Sequence, residues 1–584
     1  MANPNVKVCS FCALLVLVMI LFIVIIGVTR SHNCLNPSNL PNCPNGTFNK
    51  AAVAADNGNC SKIGRDILKQ GGSAVDAAIA ALLCTGIMNP QSAGVGGGAI
   101  FTVMDRSGEE MSFMWSRSFS SSVIIIVTHN NRFYEYVVKG KVKVINSRET
   151  APSKVDPDLL KSCKNESIPR TGSKWIGVPG EIRGYELAHK LYGKLPWAAL
   201  FQPTIKLARE GFPIPPVQGS GITDNRMKNT SLWKLYSDKT GTLLKTGDKI
   251  KFEKLADTLE LIANEGADAF YTGRVAEDLV RDVQQEGGNL TLEDLASYKA
   301  TVTEAWVAPV GEYQMYIPPP PSGGPLLSLV LNIMKGYQMN SAPRSVDEKI
   351  LFYHRYVEAL KFANGQKKQY LQLAKNMTSS GFADELRLRI RDDRTNSPVY
   401  YNFNKYPDSM GTTHVSVLAE DGSAVAVTSS INYKFGSKVY SSSTGVLLNN
   451  QLLDFCETAN SVSPGEQPPS SMTPVVLKSK SKTLVIGAGG GRWITTGLAS
   501  VLINHLWFGK SLKEAIDTPV VYVDSQNTVK LEPSLHKSVI EALEALGHNQ
   551  TSEEFYNVVN AVEKKDDYIC AVSDDRKRGE AAGY

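Results

Sequence analysis

The sequence predicts one large body of mixed helices and strands behind a single hydrophobic N-terminal run. Helical and strand patterns alternate through the body without an internal repeat or a long low-complexity linker. The composition, 42% hydrophobic and 20% charged over 584 residues, is that of a globular chain. The run from Val8 to Thr29 carries no charge, lies between Lys7 and Arg30, and is long enough to span a bilayer. The net charge of +5 lacks the clustered basicity of a nucleic-acid binder, so no such partner is expected. Nine cysteines are too few for a disulfide scaffold, and the one CxxC, Cys9 to Cys12, is followed by no second CxxC or His pair at zinc spacing, so no metal is expected.

The apolar run is longer than the core of a secretory signal, and Val24-Ile25-Ile26-Gly27-Val28 makes a poor cleavage site. The reading is an uncleaved anchor at 8–29, with 1–7 a cytoplasmic tail and 30–50 a stalk. Sequons at Asn45, Asn59, Asn165, Asn229, Asn289, Asn376 and Asn549 each carry little weight alone. Together, behind an anchor, they predict an extracellular body on a single-pass type II plasma-membrane protein. In that oxidising setting cysteines pair rather than react, and Cys9 and Cys12, inside the apolar run, are no redox site.

A first helix with Ile63 and Ile67 on one face ends at Gly71-Gly72, and Ser73 with Asp76 caps the Ala-rich run from Ala74 to Leu83. Antiparallel packing of the two predicts a Cys60–Cys84 bridge, with a plain buried thiol at Cys84 as the alternative. Cys34 and Cys43 suit a local pairing in the Pro/Asn-rich stalk, while the partners of Cys163, Cys456 and Cys570 stay open. Further helices are expected from Leu326 to Lys335, Ile350 to Ala363, and Val539 to Leu546, the last with Ser534 as upstream cap and Gly547 as stop. Strands are expected from Ile100 to Met104, His414 to Leu418, Ala424 to Ser429 and Leu484 to Ile486. Pro318 to Pro321 read as a stiff extended segment in structural use rather than as a docking motif.

Two glycine clusters resemble nucleotide loops and fail as such. Gly94-Val95-Gly96-Gly97-Gly98 lacks the Lys-Ser/Thr that meets phosphate and runs into a strand. Gly487-Ala488-Gly489-Gly490-Gly491 joins a strand to a helix, but Arg492 stands at the third-glycine position of the dinucleotide fingerprint. Its bare N–H groups suit an oxyanion instead.

Thr412, directly after Gly411, opens a predicted hairpin whose turn is Glu420-Asp421-Gly422-Ser423. A threonine hydroxyl is a weak nucleophile unless a base serves it, and its own free amino group is one such base. An internal threonine gains that amine only if the chain is cut between Gly411 and Thr412. The plain alternative is a Thr-Thr pair chosen for strand propensity. His414 is not assigned as the base, because adjacent strand positions face opposite ways.

The stretch Thr412, Gly422-Ser423, Val425, Thr428, Ser430-Ile431-Asn432 and Phe435-Gly436 closely resembles the signature of gamma-glutamyltransferases, also called glutathione hydrolases. The resemblance extends to Ala51–Gly98, Asn146-Ser147-Arg148-Glu149-Thr150-Ala151-Pro152, Gly177 to Glu181, Leu448 to Gln451 with Asp454, Ser470-Ser471-Met472, and Gly579 to Tyr584. It implies a four-layer αββα sandwich of the N-terminal-nucleophile hydrolase type, an α+β fold, behind the type II anchor. It implies self-cleavage into a heavy chain of 51–411, with the anchor attached, and a light chain of 412–584. Thr412 is then the nucleophile and Gly490 and Gly491 the oxyanion donors, with the Ser430 hydroxyl beside them. Arg148, Ser470 and Ser471 correspond to the clamp on the substrate carboxylate, and Asn432, Gln451 and Asp454 to the ammonium side. Taken singly, Arg148–Glu149 also reads as a surface ion pair, Asp454 as a turn cap, Asn432 as a loop holder, and Ser470-Ser471 as a loop before Pro474.

The implied reaction removes gamma-glutamyl groups from glutathione and its S-conjugates, with water or amino acid and dipeptide acceptors resolving the intermediate and no cofactor. Leu452-Leu453 and Cys456 resemble the leukotriene-C4-cleaving branch. Three departures stand out: Ser430 where the family has threonine, an insertion between Phe113 and Val144, and a shortening after Phe362-Ala363. They motivate a second reading, an uncut and inactive membrane-anchored homologue with a binding role; an amidase for another acyl group is a third, disfavoured by Arg148 and Asp454.

Overall fold

Two seven-stranded antiparallel sheets face each other, and helices cover the outer face of each. The computed structural model describes residue 43 and residues 46–106, 110–113, 124–129, 132–139, 142–164, 170–222, 230–339, 341–402, 411–457, 461–553 and 558–584. The chain divides into Met1–Cys43 and a body, Pro44–Tyr584. The expected anchor at 8–29, Cys34, and Asn45, Asn165 and Asn229 lie outside the described residues. Among the described residues no helix is long and apolar enough to cross a membrane.

The strands of the two sheets, in chain order, are β1 (Thr47–Phe48), β2 (Ala52–Ala55), β3 (Gly98–Met104), β4 (Val142–Ser147), β5 (Thr301–Glu304), β6 (Trp306–Val310), β7 (Tyr313–Ile317), β8 (Thr413–Leu418), β9 (Ala424–Ser430), β10 (Val475–Lys478), β11 (Lys482–Gly489), β12 (Val558–Lys565), β13 (Tyr568–Ser573) and β14 (Glu580–Gly583). One sheet runs β1-β13-β12-β11-β10-β7-β6 and the other β5-β4-β3-β9-β8-β2-β14. Small side chains let the sheets approach: Ala52, Ala54, Ala424, Ala426 and Ala571 meet Val476, Val485 and Val562 in the layer between them. Helices cover the second sheet's other face, so β8 and β9 are buried at every position, and the polar side chains of β8, Thr413, His414 and Ser416, find hydrogen-bond partners inside.

Helices α1 (Gly58–Lys69) and α2 (Ala74–Met88) pack on that sheet, joined as expected by the Cys60–Cys84 disulfide. The Ser73–Asp76 capping box is present, with Asp76 N–H donating to Ser73 Oγ at 3.0 Å and Ser73 N–H to Asp76 Oδ2 at 2.8 Å. Nearly every residue of α2 is buried, as an Ala-rich helix between neighbours on all sides must be. After α3 (Glu181–Tyr192), helices α4 (Gly324–Lys335), α5 (Val346–Gly365) and α6 (Trp493–Leu502) stand on the first sheet's side, followed by α7 (Lys537–Ala545). The cap of α7 is His536, not Ser534: its side chain accepts from Ser538 N–H, and Ser534 is two residues too far upstream. Pro318–Pro321 is in structural use but not extended throughout: it turns at Pro320-Pro321, Ser322 N–H donating to the Pro319 carbonyl at 3.3 Å, and its last carbonyl accepts from Ser470 N–H at 2.7 Å.

Between β3 and β4 the strands Glu110–Phe113, Ile124–His129 and Arg132–Lys139 form a small sheet of their own. The shortened region after Ala363 stays helical, α5 leading through Lys367–Gln369 into Tyr370–Met377.

Register decides what meets at one end of the second sheet. Thr413 pairs with Ser429, Ser429 with Ala99, and Ala99 with Ser147. The residues one step outward from that row are Thr412, Ser430, Gly98 and Arg148.

Candidate active site

Gly411 enters the site because nothing larger fits: a Cβ there would lie 2.1 Å from the Asn432 carbonyl oxygen. Thr412 follows with φ +154°, a region that β-branched residues avoid and that stores on the order of 1–3 kcal/mol of strain. Its Oγ1 lies against the Gly411 carbonyl oxygen and 3.2 Å from Ser430 Oγ. Ser430 Oγ in turn accepts from Asn432 N–H at 2.9 Å. Losing the methyl of threonine at 430 therefore keeps the hydroxyl contact.

On its other side Thr412 is held by groups that sequence reasoning did not single out. Lys577 Nζ donates to the Thr412 carbonyl at 2.6 Å and to Asp56 Oδ2 at 2.9 Å. Asp56 also accepts from Thr413 Oγ1 at 2.7 Å and Asn560 Nδ2 at 2.6 Å. The one available signal was an acid, Asp56, directly closing the wholly buried Ala52–Ala55 strand.

Over Thr412, β11 ends in the glycine run. A Cβ on Gly489 would come within 2.6 Å of the Thr412 carbonyl oxygen. Gly490 and Gly491, at φ +107° and +60°, turn the strand into α6 at angles that favour glycine. Gly491 and Arg492 line the pocket above Thr412.

The pocket's other wall is charged. Arg148, only 1% exposed, donates from Nη2 to Asp454 Oδ2 and to the Pro469 carbonyl, both at 2.7 Å, and from Nε to the Pro468 carbonyl at 3.2 Å. It is no surface ion pair. Asn432, in a left-handed turn at φ +76°, donates to Asp454 Oδ1 at 3.1 Å, and Gln451 Nε2 donates to Oδ2 at 2.9 Å. Gln451 Oε1 is buried without a partner. Ser470 and Ser471 complete the lining, so this single pocket gathers Thr412, Ser430, Arg148, Asn432, Gln451, Asp454, Ser470, Ser471 and Gly491. Gly490 lies one residue beyond the lining.

The 3-10 helix that carries Gln451 and Asp454, Gln451–Glu457, is tied by a Cys163–Cys456 disulfide to Leu159–Lys164. Cys570 is also disulfide-bonded. His414 turns away from the pocket: its ring nitrogens meet Thr428 Oγ1 at 2.8 Å and Ser416 Oγ at 3.0 Å, and burial pushes its pKa down to about 3. It is neutral and structural. The four described sequon asparagines, Asn59, Asn289, Asn376 and Asn549, are exposed.

The family model for gamma-glutamyltranspeptidase matches residues 60–122 and 133–584, leaving a gap inside the inserted sheet. The chain is 41% identical to the glutathione hydrolase 5 proenzyme of Rattus norvegicus over 94% of this chain and 95% of the relative. It is 40% identical to that of Homo sapiens over 93% and 94%. Among solved structures, cephalosporin acylase from Bacillus halodurans superposes with a TM-score of 0.78 at 23% identity, covering 94% of this chain and 99% of that one, a likeness of fold.

Proposed function

The chain belongs to the gamma-glutamyltranspeptidase family, and from that premise we propose that it cuts itself at Gly411–Thr412 and then cleaves gamma-glutamyl bonds of glutathione and its S-conjugates. One observation carries the reading: a strained threonine with its hydroxyl on its own preceding carbonyl shares a pocket with a buried Arg148 paired to Asp454.

In the cut, Thr412 Oγ1 adds to the Gly411 carbonyl carbon, the peptide C–N bond breaks, and the hydroxyl proton passes to the departing nitrogen. Water then hydrolyses the ester, leaving the Gly411 carboxylate and a Thr412 with free hydroxyl and amine. The strain at Thr412 lowers the barrier to this first step.

In turnover the free Thr412 amine takes the hydroxyl proton while Oγ1 adds to the substrate's γ-carbonyl, and the N–H groups of Gly490 and Gly491 receive the oxyanion. The leaving amine takes that proton back, and water or an acceptor amine resolves the gamma-glutamyl ester. Recognition exchanges partners. A substrate head group brings one carboxylate and one ammonium, which replace Asp454 on Arg148 and Arg148 on Asp454. The unpartnered Gln451 Oε1 accepts from the ammonium, and the Ser470 and Ser471 hydroxyls serve the carboxylate.

A leukotriene-C4-type conjugate is part of the proposal, supported by Leu452-Leu453 and Cys456. So is a type II anchor at 8–29 with the body outside the cell, supported by the disulfides and the exposed sequon asparagines. Hydrolysis of a gamma-glutamyl anilide by the purified protein, absent in Thr412→Ala, tests the reaction. Full activity of Thr412→Ala would overturn it.

A further inference from the structure

Directly behind the Arg148 guanidinium lies a carboxyl that the reaction above does not use. Glu149 is fully buried, and neither of its oxygens has a hydrogen-bond partner of good geometry. Its Oε2 stands 3.7 Å from Arg148 Nη1, and a Cβ on Gly98 would come within 2.8 Å of it, so the β3 backbone presses on the carboxyl.

The charged and titratable groups around it come from four elements. Arg148 is its chain neighbour. Glu181, at the start of α3, is fully buried too, with Oε1 taking the Tyr185 hydroxyl at 2.5 Å and Oε2 without a hydrogen bond of good geometry. Asp454 faces it across Arg148, and Tyr298 stands beside it with its hydroxyl donated to the Arg148 carbonyl at 2.7 Å. One cation thus stands among three carboxyls. Burial, opposed by Arg148 and by the residue's own backbone N–H and helped by the Glu181 and Asp454 charges, raises the Glu149 pKa to about 8. Burial raises Glu181 to about 7 against the pull of the Tyr185 and Ser429 hydroxyls.

A buried carboxylate with no side-chain donor draws on the nearest cation, and the guanidinium cannot give up its charge. We propose that Glu149 is a proton-holding positioning residue: neutral, it leaves Arg148 free for the substrate carboxylate, and ionised, it claims Arg148 and weakens substrate binding while the chemical step stays intact. This rests on Arg148 being the carboxylate clamp of the proposed reaction. The proton lost from Glu149 goes to solvent, and no other bond changes.

The test is the pH dependence of KM and kcat, read separately, for gamma-glutamyl anilide hydrolysis by the processed enzyme and by Glu149→Gln. With only the neutral form competent and its pKa near 8, KM of the wild type rises about tenfold from pH 7 to pH 9 beyond the part shared with the variant. In Glu149→Gln that extra rise is absent, and kcat follows one profile in both. Titration of the substrate ammonium and of the Thr412 amine is common to the two proteins and cancels.

A second measurement needs only the wild type. Inhibition constants for L-glutamate and for 4-aminobutyrate, which lacks the α-carboxylate, are compared at pH 7 and pH 9. The preference for glutamate shrinks about tenfold on the same population argument. A preference that stays constant, or a Glu149→Gln profile that superimposes on the wild type, overturns the proposal. Absence of hydrolysis by the wild type at pH 7 overturns the gamma-glutamyl reading and this proposal with it.

Discussion

Replacing Lys577 by Met removes the cation paired with buried Asp56 and the donor to the Thr412 carbonyl at once. Lys577 and Asp56 are 4% and 0% exposed in their side chains, so solvent does not screen the pair. Removing one partner of such a pair destabilises by about 3–5 kcal/mol, because the remaining charge stays buried. Asp56 keeps donors from Thr413 and Asn560, which places the expected loss at the lower end, about 3 kcal/mol. The Thr412 carbonyl separately loses a charged hydrogen bond worth about 1.5–3 kcal/mol, and as Thr412 relaxes out of the attack geometry that this bond holds, the cut slows by up to about 10- to 100-fold. Urea unfolding in a Thr412→Ala background, where every variant stays one chain, measures the first effect, and the fraction of uncut chain over time measures the second. Adding Asp56→Asn to Lys577→Met removes the orphaned charge and restores at least about 2 kcal/mol, while the cut stays slow. A Lys577→Met protein within about 0.5 kcal/mol of its parent that cuts normally would refute the reasoning.

Arg148→Lys keeps the charge but loses the planar fork that reaches Asp454 and the Pro469 carbonyl together; KM for a gamma-glutamyl substrate rises about 10- to 100-fold with a much smaller change in kcat. After a cut at Gly411, the Cys163–Cys456 disulfide still joins the two chains, so electrophoresis shows one band without reductant and two with it; Cys456→Ser weakens substrate binding by loosening the turn that bears Asp454. Burial holds His414 down to about 3, and burial with the Lys361 and His354 charges holds His548 down to about 2. Both are neutral when folded and gain protons only on unfolding, so their contribution is complete above about pH 6.5 and is lost as pH falls below it. From pH 7 to pH 5 each removes about 2 kcal/mol, and His548→Gln flattens the urea-midpoint profile over that window.

Local chemistry was legible in the sequence. The Ser73–Asp76 box, the hairpin around Gly422 and the glycine run ending β11 are short-range signals, and each element formed where its pattern lies. The site's residue types were legible through the family resemblance, but their partnerships were not. Arg148 meets Asp454 across 306 residues, Lys577 meets Asp56 across 521, and Cys163 meets Cys456 across 293. Periodicity carries no information about such contacts; sheet register does, by setting Thr413, Ser429, Ala99 and Ser147 in one row. The His536 cap was missed for a related reason, since a serine was read as the capping group and the backbone chose the histidine nearer the first turn.

The most direct test is mass spectrometry of the protein expressed with its N-terminal run in a secretory system, asking where the chain is cut. A new chain beginning with a free Thr412 amino group, absent from Thr412→Ala, is the expected result. A single intact chain spanning Gly411–Thr412 would contradict the account at its centre.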